Sequence, residues 1–381
     1  MDRAKVYFTS FQATFRENLL QKLERLIRTA GIGDINFQDH YAAIKIHFGE
    51  YGNLAFLRPN YAKVVADVIK ELGGKPFLTD CNTLYVGNRK NALDHMDTAY
   101  MNGFTPYATG CQVIIADGLK GTDEKLVPID GVYVKEAKVG RALMDADILI
   151  SLTHFKGHEA TGFGGTLKNI GMGGGSRAGK MEMHSAGKPH VRAKKCVGCG
   201  MCTRVCAHSA IAIGEHKAQI DHDKCVGCGR CIGVCPRDAV MPASDESNDI
   251  LNCKIAEYTW AICKDRPCFH ISLICDVSPN CDCHSENDRP IIPDVGMLAS
   301  FDPVALDMAC VDLCNQQPVL YNSILAEQMR GAGQDSCQEE PDPCREHDHF
   351  YYTHPDTNWR TCIAHAVEIG LGTDQYELIE I

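Results

Sequence analysis

The chain has 381 residues, of which 45% are hydrophobic and 23% charged, with 34 glycines and 16 prolines. That length amounts to two or three domains and can bury a core without covalent staples. The composition excludes disordered and collagen-like classes. No apolar run reaches the roughly 18 residues of a membrane span. The opening MDRAKVYFTSF lacks the apolar core and cleavage site of a secretory signal. A net charge of −11 argues against nucleic acid as a partner, so neither nucleic acid nor membrane is expected.

In chain order, residues 5–9 (KVYFT) predict a strand, and residues 18–30 have helical periodicity that stops at Gly31. A strand over 42–48 and a helix over 61–72 follow, then a strand over 76–79, a helix over 92–102 and a strand over 112–116. A helix over 135–144 and a strand over 147–152 complete the first half. This alternation predicts right-handed βαβ units, hence an α/β fold with a mostly parallel sheet and helices on both faces. Residues 154–180 are dense in glycine and predict loops flanking a short helix. Beyond residue 242 the α/β pattern resumes. It predicts helices over 253–263, 303–315, 324–330 and 359–370, with strands over 269–277, 291–300 and 376–381. The expected organisation is one α/β domain in two parts, 1–190 and 243–381, interrupted by an insertion over 191–242. An acidic, loop-like tract spans 334–348.

The chain holds 21 cysteines, and in a chain without a secretory signal such density points to metal or catalysis rather than disulfides. Cys196, Cys199, Cys202 and Cys206 form one C-x2-C-x2-C-x3-C run, and Cys225, Cys228, Cys231 and Cys235 form a second. This is the spacing of bacterial dicluster ferredoxins, in which the fourth cysteine of each run crosses to the other cluster. Cys196, Cys199, Cys202 and Cys235 are therefore assigned to one [4Fe–4S] cluster, and Cys206, Cys225, Cys228 and Cys231 to a second. Paired zinc knuckles are the competing reading, disfavoured by the doubled spacing. The second run ends in Pro236 where the first has Ala207, which removes no ligand. Residues 191–242 carry eight Lys and Arg against four Asp and Glu, a local positive surplus suited to anionic clusters.

Two weaker constellations lie outside the insertion. Cys275, Cys281 and Cys283 fall within nine residues after a predicted strand, where α/β sheets bind ligands. They are candidates for a third metal or cluster, with Cys253, Cys263 or Cys268 as a fourth ligand, or else reduced core thiols. Gly164, Gly165, Thr166, Lys168 and Asn169 follow a strand and open a helix with Thr166 at its cap. With Lys156 and His158 they form a candidate cradle for a phosphate or another anion. Residues 174–180 imitate a P-loop, but Met181 replaces the magnesium-binding Ser or Thr and no strand precedes it, so that reading is rejected. His154, His158, His184 and His190 are open to ligand, acid or structural roles, and Asp302 before Pro303 is a helix cap.

Residues 154–173, the two cysteine runs, NCDC at 280–283 and PDVGMLASFDPVALD at 293–307 together resemble a family of uncharacterised iron–sulfur-centre proteins. In that family a dicluster ferredoxin is inserted into an α/β domain of unknown function. The resemblance implies two cubanes and a shared site for the glycine segment and NCDC, but no substrate. The leading expectation is an iron–sulfur oxidoreductase that passes electrons from two [4Fe–4S] clusters to a flavin or cysteine-bound metal in the α/β body. A redox protein partner and a small anionic or phosphate-bearing ligand are expected, in an anaerobic or strongly reducing cytoplasm. The runner-up is a non-enzymatic electron carrier or docking module, and phosphate-dependent ligase chemistry ranks third.

Overall fold

Strands buried on both faces need apolar side chains at every position, because successive residues point to opposite sides. The central strands meet that demand. In β2 (Tyr41–Lys45), Ala42 and Ile44 enter one core while Ala43 enters the other; in β5 (Ile148–His154), Ile148, Ile150 and Leu152 oppose Leu149. The computed structural model describes residues 3–381 except 86, 185–187, 226, 228, 243–246 and 332–347. The other strands of the main sheet are β1 (Ala4–Ser10), β3 (Lys75–Asp80), β4 (Gln112–Ile115), β6 (Cys268–Ile274), β7 (Gly296–Ser300) and β8 (Tyr376–Glu380). Their spatial order is β8-β1-β7-β6-β5-β2-β3-β4. Only the two pairings made by β7 are antiparallel, so the sheet is mostly parallel.

One face is covered by α1 (Leu19–Thr29) and α2 (Pro59–Glu71). In α1, Leu23, Leu26 and Ile27 recur at helical spacing. Asn18 starts the helix with a capping box, its side chain accepting from the Leu20 and Gln21 amides while Gln21 accepts from the Asn18 amide. The edge strand β4 carries α3 (Ala92–Met101). The opposite face is covered by α4 (Thr166–Gly174), α6 (Asn248–Cys263), α7 (Pro303–Asn315) and α8 (Trp359–Glu368). Asp302 caps α7 as expected, accepting from Val304 and Ala305. No described helix is long and apolar enough to cross a membrane.

Two expectations change. Residues 135–144 form strand Glu136–Gly140, paired antiparallel with Glu124–Pro128, and only then a short helix, Arg141–Asp145. The alternation that buries Ala137 and Val139 is a period of two, which the helical reading passed over. The glycine segment is a hairpin (Lys156–His158 with Gly162–Gly164) followed by α4 and by α5 (Arg177–His184). Its glycines serve close packing rather than a loop: a Cβ on Gly171 would lie 2.3 Å from the Ile255 carbonyl of α6.

Residues 189–242 leave and rejoin the body through paired strands, Pro189–Val191 against Val240–Pro242. Between them lie the hairpin Ile211–Gly214/Lys217–Ile220 and the short helices Met201–Val205 and Arg230–Gly233.

Candidate functional site

The chain runs from β2 outward to β3 and β4, then returns to place β5 on the other side of β2. Ligand clefts of α/β sheets form at such a reversal, outside the carboxyl ends of the strands. A cavity of about 760 Å³ lies there, lined by residues that follow β2, β3, β5 and β6. Its walls are charged. Lys45, the last residue of β2, lies 3.0 Å from Asp80, the last residue of β3, and donates to Asn169 Oδ1 at 2.8 Å. Arg89 is buried between Glu50 (3.0 Å) and Asp80 (3.7 Å), and its Nη2 has no hydrogen-bond partner. Lys180 of α5 donates to the Gly175 and Gly173 carbonyls, with no carboxylate in ion-pair range among the described residues. A buried cationic nitrogen without an anion is costly unless a ligand supplies one.

The NCDC segment forms the opposite wall. Lys168 Nζ donates to Cys281 Sγ at 3.0 Å, and the Cys283 amide approaches the same sulfur at 3.4 Å. The hydrogen bond with Cys283 pulls the Cys281 thiol well down, against burial, and Lys168 and His158 add to it, so Cys281 is the acidic member of the pair. Burial works against the Lys168 ammonium, but Cys281, Cys283 and Glu159 outweigh it and keep it charged. His158 Nδ1 accepts from the amides of Ala160 and Thr161, which leaves Nε2 to carry the ring proton and face Cys281. Asp282, between the two cysteines, points away into the core. Burial pushes its carboxyl up, but His154 and Lys156 prevail and hold it below the usual carboxylate range. His154 is thereby structural, bound to Asp282 at 2.9 Å and to the Cys275 carbonyl at 2.7 Å. His184 also lines the cavity, and burial lowers its pKa to about 3.

Of the expected anion cradle, Lys156, His158, Lys168 and Asn169 line the cavity, but Gly164, Gly165 and Thr166 do not. Gly165 rather than Thr166 caps α4. The amides of Thr166 and Leu167, which the cradle assigns to a phosphate, donate to the chain's own Asp307 at 2.6 and 2.9 Å. Burial raises that carboxyl to about 6 against these two bonds. A Cβ on Gly165 would strike Asp307, and one on Gly164 would touch Lys156. The seat expected for a flavin phosphate is therefore filled from within.

The third cysteine group also divides. Cys281 and Cys283 are together, but Cys275 lies in the core under α1 and α2, where burial raises its thiol beside Asp294 and Asp276. Cys253 contacts Tyr133, and Cys263 hydrogen-bonds Cys268, so none of these supplies a fourth ligand. Instead Glu159, Cys283 and His284 bring an oxygen, a sulfur and a nitrogen within 4.8 Å of one another.

In the insert, Cys196, Cys199, Cys202 and Cys235 line one hollow, while Cys206, Cys225 and Cys231 line a second; Cys228 lies outside the described residues. Each run turns on two left-handed glycines, Gly198 and Gly200 in one, Gly227 and Gly229 in the other. Backbone amides of Ala218, Ala210 and Ala239 donate to the sulfurs of Cys196, Cys206 and Cys235 at 3.2–3.3 Å. The insert's apolar core contains Cys196, Cys202 and Cys231 and is completed by Leu84 and Met181 of the body. Leu84 and Met241 of the insert both line the large cavity. Arg177 is buried at this junction; a Cβ on Gly233 would lie 2.1 Å from its Nη1. Lys90 of the body pairs with Asp238 of the insert.

A family model described as a domain of unknown function (DUF362) matches residues 42–312. The chain is a DUF362 protein. No curated protein matches it. Among solved structures, a Thermotoga maritima protein determined as a structural-genomics target is 13% identical, with a TM-score of 0.39 over 77% of this chain. The DUF362 chain spans 57% of that protein's length. The lactate racemase apoprotein of Thermoanaerobacterium thermosaccharolyticum is 10% identical, with a TM-score of 0.42 over 100% of this chain and 84% of its own. Likenesses this distant assign no activity to this DUF362 protein.

The cavity residues that sequence reading missed are Lys45, Glu50, Asp80, Arg89 and Lys180. The available signal was a charged residue closing an apolar strand, Lys45 after AAI and Asp80 after FLT.

Proposed function

We propose that this DUF362 protein is an iron–sulfur oxidoreductase whose insert holds two [4Fe–4S] clusters and whose α/β body binds a small anionic substrate in the cavity between β2, β3, β5 and β6. Cys196, Cys199, Cys202 and Cys235 would hold one cluster, and Cys206, Cys225, Cys228 and Cys231 the other. The two hollows, the left-handed glycines and the amides aimed at sulfur fit such groups, because thiolate ligation by a tight turn and N–H···S bonds are what cubanes require. Bound there, the clusters would supply and accept single electrons.

The observation that carries the reading is the shared wall: Leu84 packs into the cysteine-bearing core of the insert and also lines the cavity. A bare carrier needs no cavity of about 760 Å³ with buried cations beside it. Lys180 and the unpartnered Nη2 of Arg89 would bind the anion, His158 Nε2 would offer a proton, and Cys281 would offer a thiolate. A separate redox protein would exchange electrons with the exposed edge of the insert, where Cys199 reaches solvent.

Inorganic phosphate tests the anion site. Changing Lys180 to Ala is expected to weaken phosphate binding roughly tenfold or more, the worth of one charge-assisted hydrogen bond, with cluster absorbance unchanged. Equal affinity in the two proteins would remove the anionic substrate from the proposal.

A further inference from the structure

We infer a metal site at the rim of the cavity, separate from the insert, in which Glu159, Cys283 and His284 bind one divalent ion of the zinc or iron(II) class. Three donors of different chemistry converge here from two elements. Glu159 stands at the tip of the 156–164 hairpin, and Cys283 and His284 are consecutive in the NCDC-H loop. Their donor atoms all lie within 4.8 Å of one another, and His284 Nε2 is 2.8 Å from Glu159 Oε1. The set is one sulfur, one nitrogen and one oxygen, and Cys281 Sγ, which accepts from the Cys283 amide, lies beside it. Three such donors with a fourth position open to water or substrate suit Zn²⁺ or Fe²⁺, whereas Mg²⁺ and Ca²⁺ take oxygen ligands.

The surroundings have the second layer that metal sites use. The other ring nitrogen of His284, Nδ1, faces Glu286 at 3.6 Å, as ligating histidines face a carboxylate. Lys168 donates to Cys281 Sγ beside the site and would offset thiolate charge there. His284 and Glu159 remain about two-fifths exposed, so an ion can reach them from solvent, while all three donors border the cavity. The ion would sit at the substrate's edge and act as a Lewis acid on it. The site does not depend on the clusters, since none of its ligands belongs to either cysteine run.

Cobalt(II) is the probe, because its thiolate charge-transfer absorption reports sulfur ligation directly. Protein purified without oxygen, with the metal of its insert in place, is expected to bind one Co²⁺ per chain with that absorption. Cys283→Ser and His284→Ala should each weaken binding at least about tenfold. His284 is about two-fifths exposed, so its replacement should not perturb folding. An absent charge-transfer band in the unaltered protein, or equal Co²⁺ affinity in both variants, would overturn the site. A Cys199→Ser control separates the two proposals: it should lose iron while keeping the His284-dependent Co²⁺ band.

Discussion

Cys235→Ser is expected to halve the iron content, and the iron it removes is that of the cluster held by Cys196, Cys199 and Cys202. The hollows place Cys235 with the first run, although it ends the second. Double substitutions make the crossing measurable, since changes within one site are not additive and changes at separate sites are. Cys196→Ser combined with Cys235→Ser should lose no more iron than either alone. Cys225→Ser combined with Cys235→Ser should lose nearly all of it. The reverse pattern would mean that each run keeps its own cluster.

The second large effect is on stability in acid. His270 is buried in β6, beside Ser151 of β5 at 3.0 Å, and burial lowers its pKa to about 3. In the unfolded chain the imidazole takes a proton below about 6.5. The unfolded state therefore binds the extra proton between pH 6.5 and 3, so stability is intact above that window and falls as pH drops through it. This one group accounts for a loss on the order of 5 kcal/mol across the window. His47, held at about 3 by burial and then by Arg89, has the same sign. Unfolding free energies from denaturant titrations between pH 7 and 4 should fall more steeply for the natural chain than for His270→Gln, by up to about 1.4 kcal/mol per pH unit. Parallel slopes would show that His270 is not the responsible group.

Much of the fold was legible because its signals are local. Asn18 and Asp302 announce helices by cap chemistry, and AAIK at 42–45 reads as a strand buried on both sides, although the strand ends at Lys45 rather than at residue 48. The cysteine runs were legible for the same reason, their spacing being confined to eleven residues each. The glycine segment misled because glycine serves two ends, loop freedom and close helix packing, and only the presence of α6 against Gly171 decides between them. The anion cradle misled because its donors were already taken by Asp307, 141 residues from Thr166. Cys275 stood close to Cys281 in sequence, yet it lies in the core on the α1 and α2 side. The cavity's cations were hidden differently: Lys45, Arg89 and Lys180 meet only because the sheet reverses at β2, which no single segment encodes. The acidic tract over 334–348 lies, apart from Asp348, outside the described residues.

Native mass spectrometry of protein purified without oxygen, paired with iron and acid-labile sulfide analysis, tests the electron-transfer proposal at its root. Two cubanes predict about eight irons and about eight sulfides per chain, lost together in the cysteine variants. Zinc without sulfide in the insert, or iron without sulfide, would contradict the proposal and leave the cavity without a source of electrons.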